Sequence, residues 1–264
     1  MHVLASSFSH YSSGCYRDAF RFEHAGAEEF VLKRLMLTKK FVWNFKDLGR
    51  IQKEAVVMEK LSASPNILDM YSYCGTSVLL EAAEDVDSKM MSGSGYASKK
   101  ELARLDDVYP ANDFTALEKL QIALEMAESL ADIHGYKGGE IVHQDINPEQ
   151  WLVARDGSVK LNDFNIAEIS LWDDAAQKFC TRKGVYGGIV SPYEFFNAQI
   201  FSSLLTLRFF LQEHSPEEYN GHGVLDHGVD AYSYGNNIYI LVSDAMIFSR
   251  SKDVTSHTRC CKHS

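Results

Sequence analysis

The sequence predicts an α+β fold in which a small β-rich part is followed by a helical part. Residues 15–23 and 29–35 are strand-like runs on either side of a short turn that contains Gly26, which is typical of a β-hairpin. Residues 115–134 carry apolar side chains at a spacing of three and four, which indicates an amphipathic helix. A chain of 264 residues is long enough for one large domain or for two small lobes.

The β-rich part continues with a helix and two further strands. Residues 46–61 predict a helix with one apolar face, formed by Ile51, Ala55, Met58 and Leu61. Pro65 limits this helix, because the residue before a proline avoids the helical region. Residues 67–82 predict two strands that flank Gly75. The acidic and aperiodic stretch 84–113 is interpreted as a linker between two lobes.

The helical part begins with the helix 115–134. Its predicted apolar face is made of Leu117, Leu120, Leu124, Ala127 and Leu130 or Ala131. Three short apolar runs predict strands, at residues 141–142, 151–153 and 159–161. Asp156 and Gly157, between the last two runs, predict a hairpin turn. Residues 235–241 predict a buried helix.

Composition restricts the classes of function and partner. The formal net charge of −10 argues against a nucleic-acid backbone as partner. The sequence has no apolar run of about 18 residues, so we expect no membrane span in this chain. Its polar, serine-rich start argues against a secretory signal. The five cysteines form an odd set without zinc-site spacing, which is typical of reduced thiols and favours a cytoplasmic location.

Two short motifs in the second part resemble those of protein kinases. The run 141–150, which contains His143 and Asp145, resembles the kinase catalytic loop. The run 161–165, in which Asp163 follows a short apolar strand, resembles the metal-binding motif of the same family.

Three further elements follow the order of that family. Residues 30–33, which end in Lys33, resemble the strand that carries the phosphate-binding lysine. Residues 215–217 resemble the end of the activation segment, and residues 230–235 resemble the start of the next large helix. The chain is therefore similar to the eukaryotic protein-kinase-like superfamily. The resemblance implies a two-lobed α+β fold with a small β-rich N-lobe and a helical C-lobe, ATP and Mg²⁺ as cofactors, and a protein as substrate.

The resemblance also implies a domain organisation. The N-lobe is expected at residues 12–83, the hinge and linker at 84–114, and a partial C-lobe at 115–241. The stretch 190–213 lengthens the activation segment beyond the family pattern, and we interpret it as an insertion or a retained intron. The last helices of the family are not recognisable after residue 241, so we expect a truncated C-lobe and a divergent tail at 242–264.

The resemblance assigns a role to each of the charged motif residues. Lys33 is expected to hold the α- and β-phosphates of ATP, and Glu54 is expected to pair with Lys33 from the first helix. Asp145 is expected to orient the hydroxyl group of the substrate. Asp163 is expected to coordinate Mg²⁺, which prefers hard oxygen ligands.

The remaining nucleotide contacts are implied more weakly. Gly14 is the single glycine left of the glycine-rich loop, and Arg17 stands in the position of the third glycine, where it could add positive charge near a phosphate. Leu80 takes the position behind the adenine. Glu81 and Ala83 belong to the hinge, whose backbone is expected to bind the adenine.

Four positions depart from the family pattern. Asn147 stands at a catalytic position of the family, where most serine/threonine kinases carry a lysine. Its amide cannot supply the positive charge of that lysine. Gln150 replaces the asparagine that binds the second metal ion, and its carbonyl oxygen keeps coordination of that ion open. Asn165 replaces a glycine, and asparagine tolerates left-handed backbone. Gln144 replaces the arginine that contacts an activation-loop phosphate, so we expect no phosphate switch through this position.

Three functions are compatible with this pattern. The first is ATP-dependent phosphoryl transfer to protein serine or threonine hydroxyls, with weak activity because one cation and one metal ligand are replaced. The second is a pseudokinase that has lost activity and acts as a nucleotide- or protein-binding module. The third is a small-molecule phosphotransferase with a kinase-like fold.

Overall fold

A computed structural model describes residues 7–13, 17–23, 29–36, 45–85, 114–180, 215 and 225–243. Several sequence predictions lie outside these residues. They are the turn around Gly26, the nucleotide contact of Gly14, most of the linker, the suspected insertion at 190–213 and nearly all of the tail.

The N-lobe is built on an antiparallel five-stranded sheet with the strand order β1-β2-β3-β5-β4. Its strands are β1 (Ser7–Ser13), β2 (Arg17–Glu23), β3 (Glu29–Leu35), β4 (Met70–Cys74) and β5 (Ser77–Glu81). The predicted hairpin is confirmed as the pair β2 and β3, and Gly75 turns between β4 and β5 with a φ of 58°. Sequence analysis missed β1, a polar edge strand that pairs with β2 alone.

Helix α1 (Phe45–Leu61) follows β3 along the chain. The predicted apolar face is confirmed, since all of its members are buried: Ile51, Ala55, Met58 and Leu61. Glu54 lies on the same side of the helix and has no exposed surface. A buried carboxylate needs compensating charge, so this residue indicates a polar site beneath the helix.

The helical lobe begins with helix α2 (Ala116–His134). Thr115 caps its N-terminus in a capping box with Glu118, which satisfies two backbone amides. The helix buries a different stripe from the predicted one: Ile122, Met126, Ser129, Leu130 and Ile133. The predicted face was therefore wrong in its first half, where Leu117, Leu120 and Leu124 are 74%, 66% and 49% exposed. The helix has apolar residues on two faces, and the spacing does not reveal which face meets the rest of the fold.

Short strands and a third helix complete the described C-lobe. The strands are β6 (Glu84–Asp85), β7 (Glu140–Val142), β8 (Trp151–Val153), β9 (Val159–Leu161), β10 (Glu168–Ser170), β11 (Trp172–Asp173) and β12 (Lys178–Phe179). They form three small sheets, β6-β8-β9, β10-β7 and β11-β12. The turn predicted at Asp156 and Gly157 is confirmed between β8 and β9, where Gly157 has a φ of 90°. Helix α3 (His227–Ser243) packs against α2 and β7.

Direct contacts hold the two lobes together. The amide of Leu68 donates to the Leu161 carbonyl at 3.0 Å, and the amide of Leu161 donates to the Asn66 carbonyl at 2.9 Å. The side-chain amide of Asn66 donates to Asp132 Oδ2 on α2 at 2.9 Å. One hydrophobic cluster includes residues of both lobes, such as Met58 and Trp151. The predicted two-lobed α+β fold is confirmed. In the part of the chain that the structure describes, no helix has the length and apolar character needed to cross a membrane.

Candidate nucleotide-binding and catalytic site

An ion pair between β3 and α1 forms the N-lobe side of the candidate site. Lys33 Nζ lies 3.7 Å from Glu54 Oε1, and it donates a hydrogen bond to Asn162 Oδ1 at 3.1 Å. The side chain of Lys33 is 16% exposed, so its charge is partly removed from water and needs these partners. Asn162 immediately precedes Asp163, so Lys33 links the N-lobe sheet to the segment expected to bind the metal ion. The structure thus brings Lys33 and Glu54 together, as predicted.

Arg17 adds a second cation to this site. Its Nη1 atom donates to Glu54 Oε2, while Lys33 approaches the other oxygen of the same carboxylate. Ala19 is paired with Lys33 between β2 and β3, and side chains two residues apart on a strand point to the same face. Arg17 and Lys33 therefore project from one face of the sheet towards Glu54.

An ion pair ties α1 to the C-lobe. Lys53 Nζ lies 2.7 Å from Glu168 Oε1 on β10, a strand that follows Asp163 by only a few residues. Lys53 immediately precedes Glu54, so this contact helps to fix the position of the Glu54 carboxylate above the site.

Asp163 is held as a carboxylate next to the cations. Burial alone would raise the pKa of Asp163, but the positive charges of Lys33 and Arg17 outweigh burial and lower the pKa. The Asn165 side-chain amide also donates to Asp163 Oδ1 at 2.6 Å. Left-handed backbone occurs at Asp163 itself, with a φ of 65°, and not at Asn165. The tolerance of asparagine for left-handed backbone is therefore not used at Asn165, whose side chain orients the carboxylate instead.

The catalytic-loop carboxylate is held by two side-chain amides. Asn147 Nδ2 donates to Asp145 Oδ1 at 3.2 Å, and Gln150 Nε2 donates to Asp145 Oδ2 at 2.8 Å. Asn147 Oδ1 also accepts from the amide of Glu149 at 2.9 Å, at the start of the 3₁₀ helix Pro148–Gln150. The Nε2 group of Gln150 is thus engaged with Asp145, which places this residue beside the Asp145 carboxylate.

A buried aspartate anchors the backbone of the catalytic loop. Asp230 on α3 accepts from the amide of His143 at 2.7 Å and from the amide of Gln144 at 2.9 Å. Asp230 Oδ2 also lies 2.9 Å from His134 Nε2. These contacts hold Gln144 in a left-handed conformation with a φ of 66°. Sequence analysis placed Asp230 only at the start of a helix and missed both its anchoring contacts and His134.

His143 supports the two motifs from inside the core. Its Nδ1 atom accepts from the amide of Asp145 at 3.2 Å, so its Nε2 atom donates to the Asn162 carbonyl at 3.0 Å. Its ring lies edge-on to Phe164, with the ring centroids 4.9 Å apart. Burial lowers the pKa of His143 despite the nearby Asp230 carboxylate, so the imidazole is neutral. Because both ring nitrogens are engaged with backbone groups, this residue positions the two motifs relative to each other.

The hinge side of the cleft is held by a buried ion pair. Leu80 is buried, and Glu81 Oε2 accepts from Lys160 Nζ at 2.9 Å. Burial raises the pKa of Glu81, with partial opposition from Lys160. Burial would lower the pKa of Lys160, but the Glu81 and Asp69 carboxylates outweigh it and raise that pKa. The side chain of Glu81 is thus committed to Lys160. Ala83, two residues further along the chain, is half-buried. Nothing in the sequence indicated the role of Lys160.

The residues present fit a magnesium site that substrate phosphates complete. Mg²⁺ is commonly held by one or two carboxylates together with substrate phosphates, and Asp163 supplies such a carboxylate in its ionised form. Gln150, predicted to bind a second ion, donates its Nε2 group to Asp145, and this bond leaves its Oε1 atom available as a ligand. No cluster of three or more His, Cys, Asp or Glu side chains suited to a metal ion occurs within the described ranges. A site completed by phosphate oxygens does not require such a cluster.

The comparison with known families agrees with this geometry. The family model described as the protein kinase domain matches residues 13–184, well over half of the chain. The chain therefore belongs to the protein kinase domain family, whose general activity is ATP-dependent phosphoryl transfer. No curated protein matches the chain. Helix α3 lies beyond the matched residues, and yet Asp230 on this helix holds the catalytic loop.

Proposed function

We propose that this chain binds ATP with Mg²⁺ between its lobes and transfers the γ-phosphoryl group to serine or threonine hydroxyls of a protein. The observation that supports this most strongly is the contact of Lys33 with both Glu54 and Asn162, next to an ionised Asp163. Phosphoryl transfer mainly requires positioning and charge neutralisation, and these residues supply both. The serine/threonine acceptor is carried over from the family resemblance.

Each side chain has a defined task in this proposal. When bound, ATP would supply the phosphoryl group and Mg²⁺ would supply charge neutralisation at its phosphates. Lys33 binds the α- and β-phosphates, and Glu54 holds Lys33 in place. Asp163 holds the metal ion, with its carboxylate oriented by Asn165. Asp145 accepts a hydrogen bond from the substrate hydroxyl and orients it for attack.

Activity is expected to be weak because Asn147 carries no charge. The absence of one transition-state charge contact typically costs about 10²–10³-fold in rate. Asn147 contributes through its contact with Asp145 instead, because it fixes one oxygen of the carboxylate that orients the hydroxyl. The proposed enzyme therefore retains positioning while it lacks one source of charge stabilisation.

The test is a transfer assay with labelled ATP, Mg²⁺ and peptide mixtures that contain serine, threonine or tyrosine as the acceptor. We expect slow labelling of serine or threonine peptides. Asp145→Asn should lower the rate by about 10²-fold or more. Asp156→Asn is the matched control, because Asp156 is exposed in the β8–β9 turn, where Ser158 donates to it. Labelling that is absent, or equal in wild type and Asp145→Asn, contradicts the proposed activity.

One observation favours the second candidate function, a nucleotide-binding module without catalysis. Both oxygens of Asp145 accept hydrogen bonds from side-chain amides, of Asn147 and Gln150. A carboxylate can accept further hydrogen bonds, but a substrate hydroxyl would bind oxygens that already share their charge with two amide donors, which weakens them as acceptors. Magnesium-dependent ATP binding without any transfer in the same assay supports this alternative.

A further inference from the structure

Arg17 has a buried donor without an assigned partner. Its side chain is 11% exposed, and its Nη1 atom donates to Glu54. Its Nη2 atom is buried and has no hydrogen-bond acceptor among the residues that the structure describes. A buried guanidinium donor that lacks an acceptor is costly, so this atom is placed for an acceptor that a ligand would bring.

The position of Arg17 points to the phosphates of the nucleotide. Arg17 opens β2, directly after residues 14–16, which resemble the end of the glycine-rich loop. Ala19 on the same face is paired with Lys33, the expected phosphate-binding lysine. Arg17 and Lys33 approach different oxygens of Glu54, so the two cations lie side by side at the same end of the site.

Arg17 also balances the charges of the site. Lys33 and Arg17 carry two positive charges, and Glu54 and Asp163 carry two negative charges. Without Arg17 the protein charges would sum to −1 opposite a polyphosphate. The arginine therefore supplies a positive charge that Asn147 does not provide, although it does so from the N-lobe.

We propose that Arg17 is a second phosphate-binding residue, whose Nη2 atom donates to the nucleotide phosphates while its Nη1 atom stays on Glu54. A planar guanidinium can serve two acceptors with separate nitrogens, which the ammonium of lysine cannot do in a fixed geometry. This inference rests on the proposed binding of ATP. It adds a residue that also couples the phosphates to α1 through Glu54.

The test is calorimetric titration of the full chain with Mg·ATP, Mg·ADP and adenosine. Arg17→Met should weaken Mg·ATP binding about 10- to 100-fold, as expected for the loss of a charge-assisted hydrogen bond. Adenosine binding should not change, because adenosine has no phosphate. Arg17→Lys should restore part of the Mg·ATP affinity. Arg21→Met is the matched control, since Arg21 lies on the same strand but pairs with Glu29.

The outcomes separate this inference from the proposed function. Equal losses for adenosine and Mg·ATP in Arg17→Met would mean that Arg17 only supports Glu54, and would overturn the inference. Unchanged Mg·ATP affinity in Arg17→Met and Arg17→Lys, together with weakened binding in Lys33→Met, would also overturn it and leave the proposed function intact. A wild-type chain that binds no nucleotide would overturn both.

Discussion

Replacing Asp230 by asparagine removes a charge on which three donors converge. Asp230 Oδ1 accepts from the amide of Gln144, and Oδ2 accepts from the amide of His143 and lies 2.9 Å from His134 Nε2. Asp230 is 1% exposed, so water cannot replace a lost contact. Asp230→Asn keeps the size of the side chain and exchanges one acceptor oxygen for a donor group. The substitution therefore tests the anchor without creating a cavity.

The expected loss of stability follows from these contacts. In Asp230→Asn, one buried backbone amide faces an NH₂ group, and an unsatisfied buried donor costs about 1–3 kcal/mol. The remaining hydrogen bonds lose their ionic character, which removes about 1 kcal/mol each. With two hydrogen bonds remaining, these terms give a fall of about 3–5 kcal/mol in the free energy of unfolding. A domain of this kind has only about 5–15 kcal/mol in total.

Urea unfolding followed by circular dichroism measures this loss. Asp156→Asn is the control, because it changes an exposed turn aspartate and should shift stability by less than about 0.5 kcal/mol. A change below about 1 kcal/mol in Asp230→Asn, with unaltered cooperativity, would refute the claim that α3 holds the catalytic loop through this carboxylate.

Three further outcomes are expected. Asn165→Ala should weaken Mg·ATP binding about 3- to 10-fold in calorimetry, because the 2.6 Å hydrogen bond that orients Asp163 is lost. Asn147→Lys should raise kcat about tenfold or more in the peptide assay, because it returns a positive charge near Asp145. The free energy of unfolding should decrease as pH falls below about 6.5, because unfolded His143 then takes up a proton that the buried folded form, with its lowered pKa, does not.

A different result would contradict each of these three expectations. Gln177→Ala is the control, because it changes an exposed amide in the β11–β12 hairpin and should leave Mg·ATP affinity unchanged. If Asn165→Ala also leaves Mg·ATP affinity unchanged, Asn165 does not orient Asp163 for binding. A kcat that stays constant or falls in a stably folded Asn147→Lys variant would show that charge is not what limits the rate. For the third outcome, His143→Gln should flatten the dependence of the free energy of unfolding on pH. If this dependence is the same in His143→Gln as in wild type, groups other than His143 cause it.

Local patterns predicted much of the N-lobe. The hairpin of β2 and β3 follows from two strand-like runs around a short turn. The buried face of α1 follows from periodicity, because that helix has a single apolar face. Strand β1 was missed because it is polar and serine-rich and gains its order from pairing with β2. The exposed stripe of α2 that begins at Leu117 was misjudged because that helix has apolar residues on two sides.

The sequence predicted the residues of the candidate site but, apart from the pair of Lys33 and Glu54, not the contacts among them. Motif order identified Lys33, Asp145 and Asp163, because their spacing along the chain resembles a known family. The contact of Arg17 with Glu54 and the engagement of Gln150 with Asp145 join residues through the folded backbone. Side-chain direction decides such contacts, and sequence spacing does not encode it across a sheet or a loop.

The most direct test of the account is whether Asp163 makes ATP binding depend on magnesium. Calorimetry would compare ATP with Mg²⁺ and ATP with a chelator, in wild type, Asp163→Ala and the control Asp156→Ala. We predict that Mg²⁺ strengthens ATP binding in wild type and in the control, and that Asp163→Ala abolishes this dependence. Equal ATP affinity with and without Mg²⁺ in wild type, or a dependence that persists in Asp163→Ala, would contradict the proposed site.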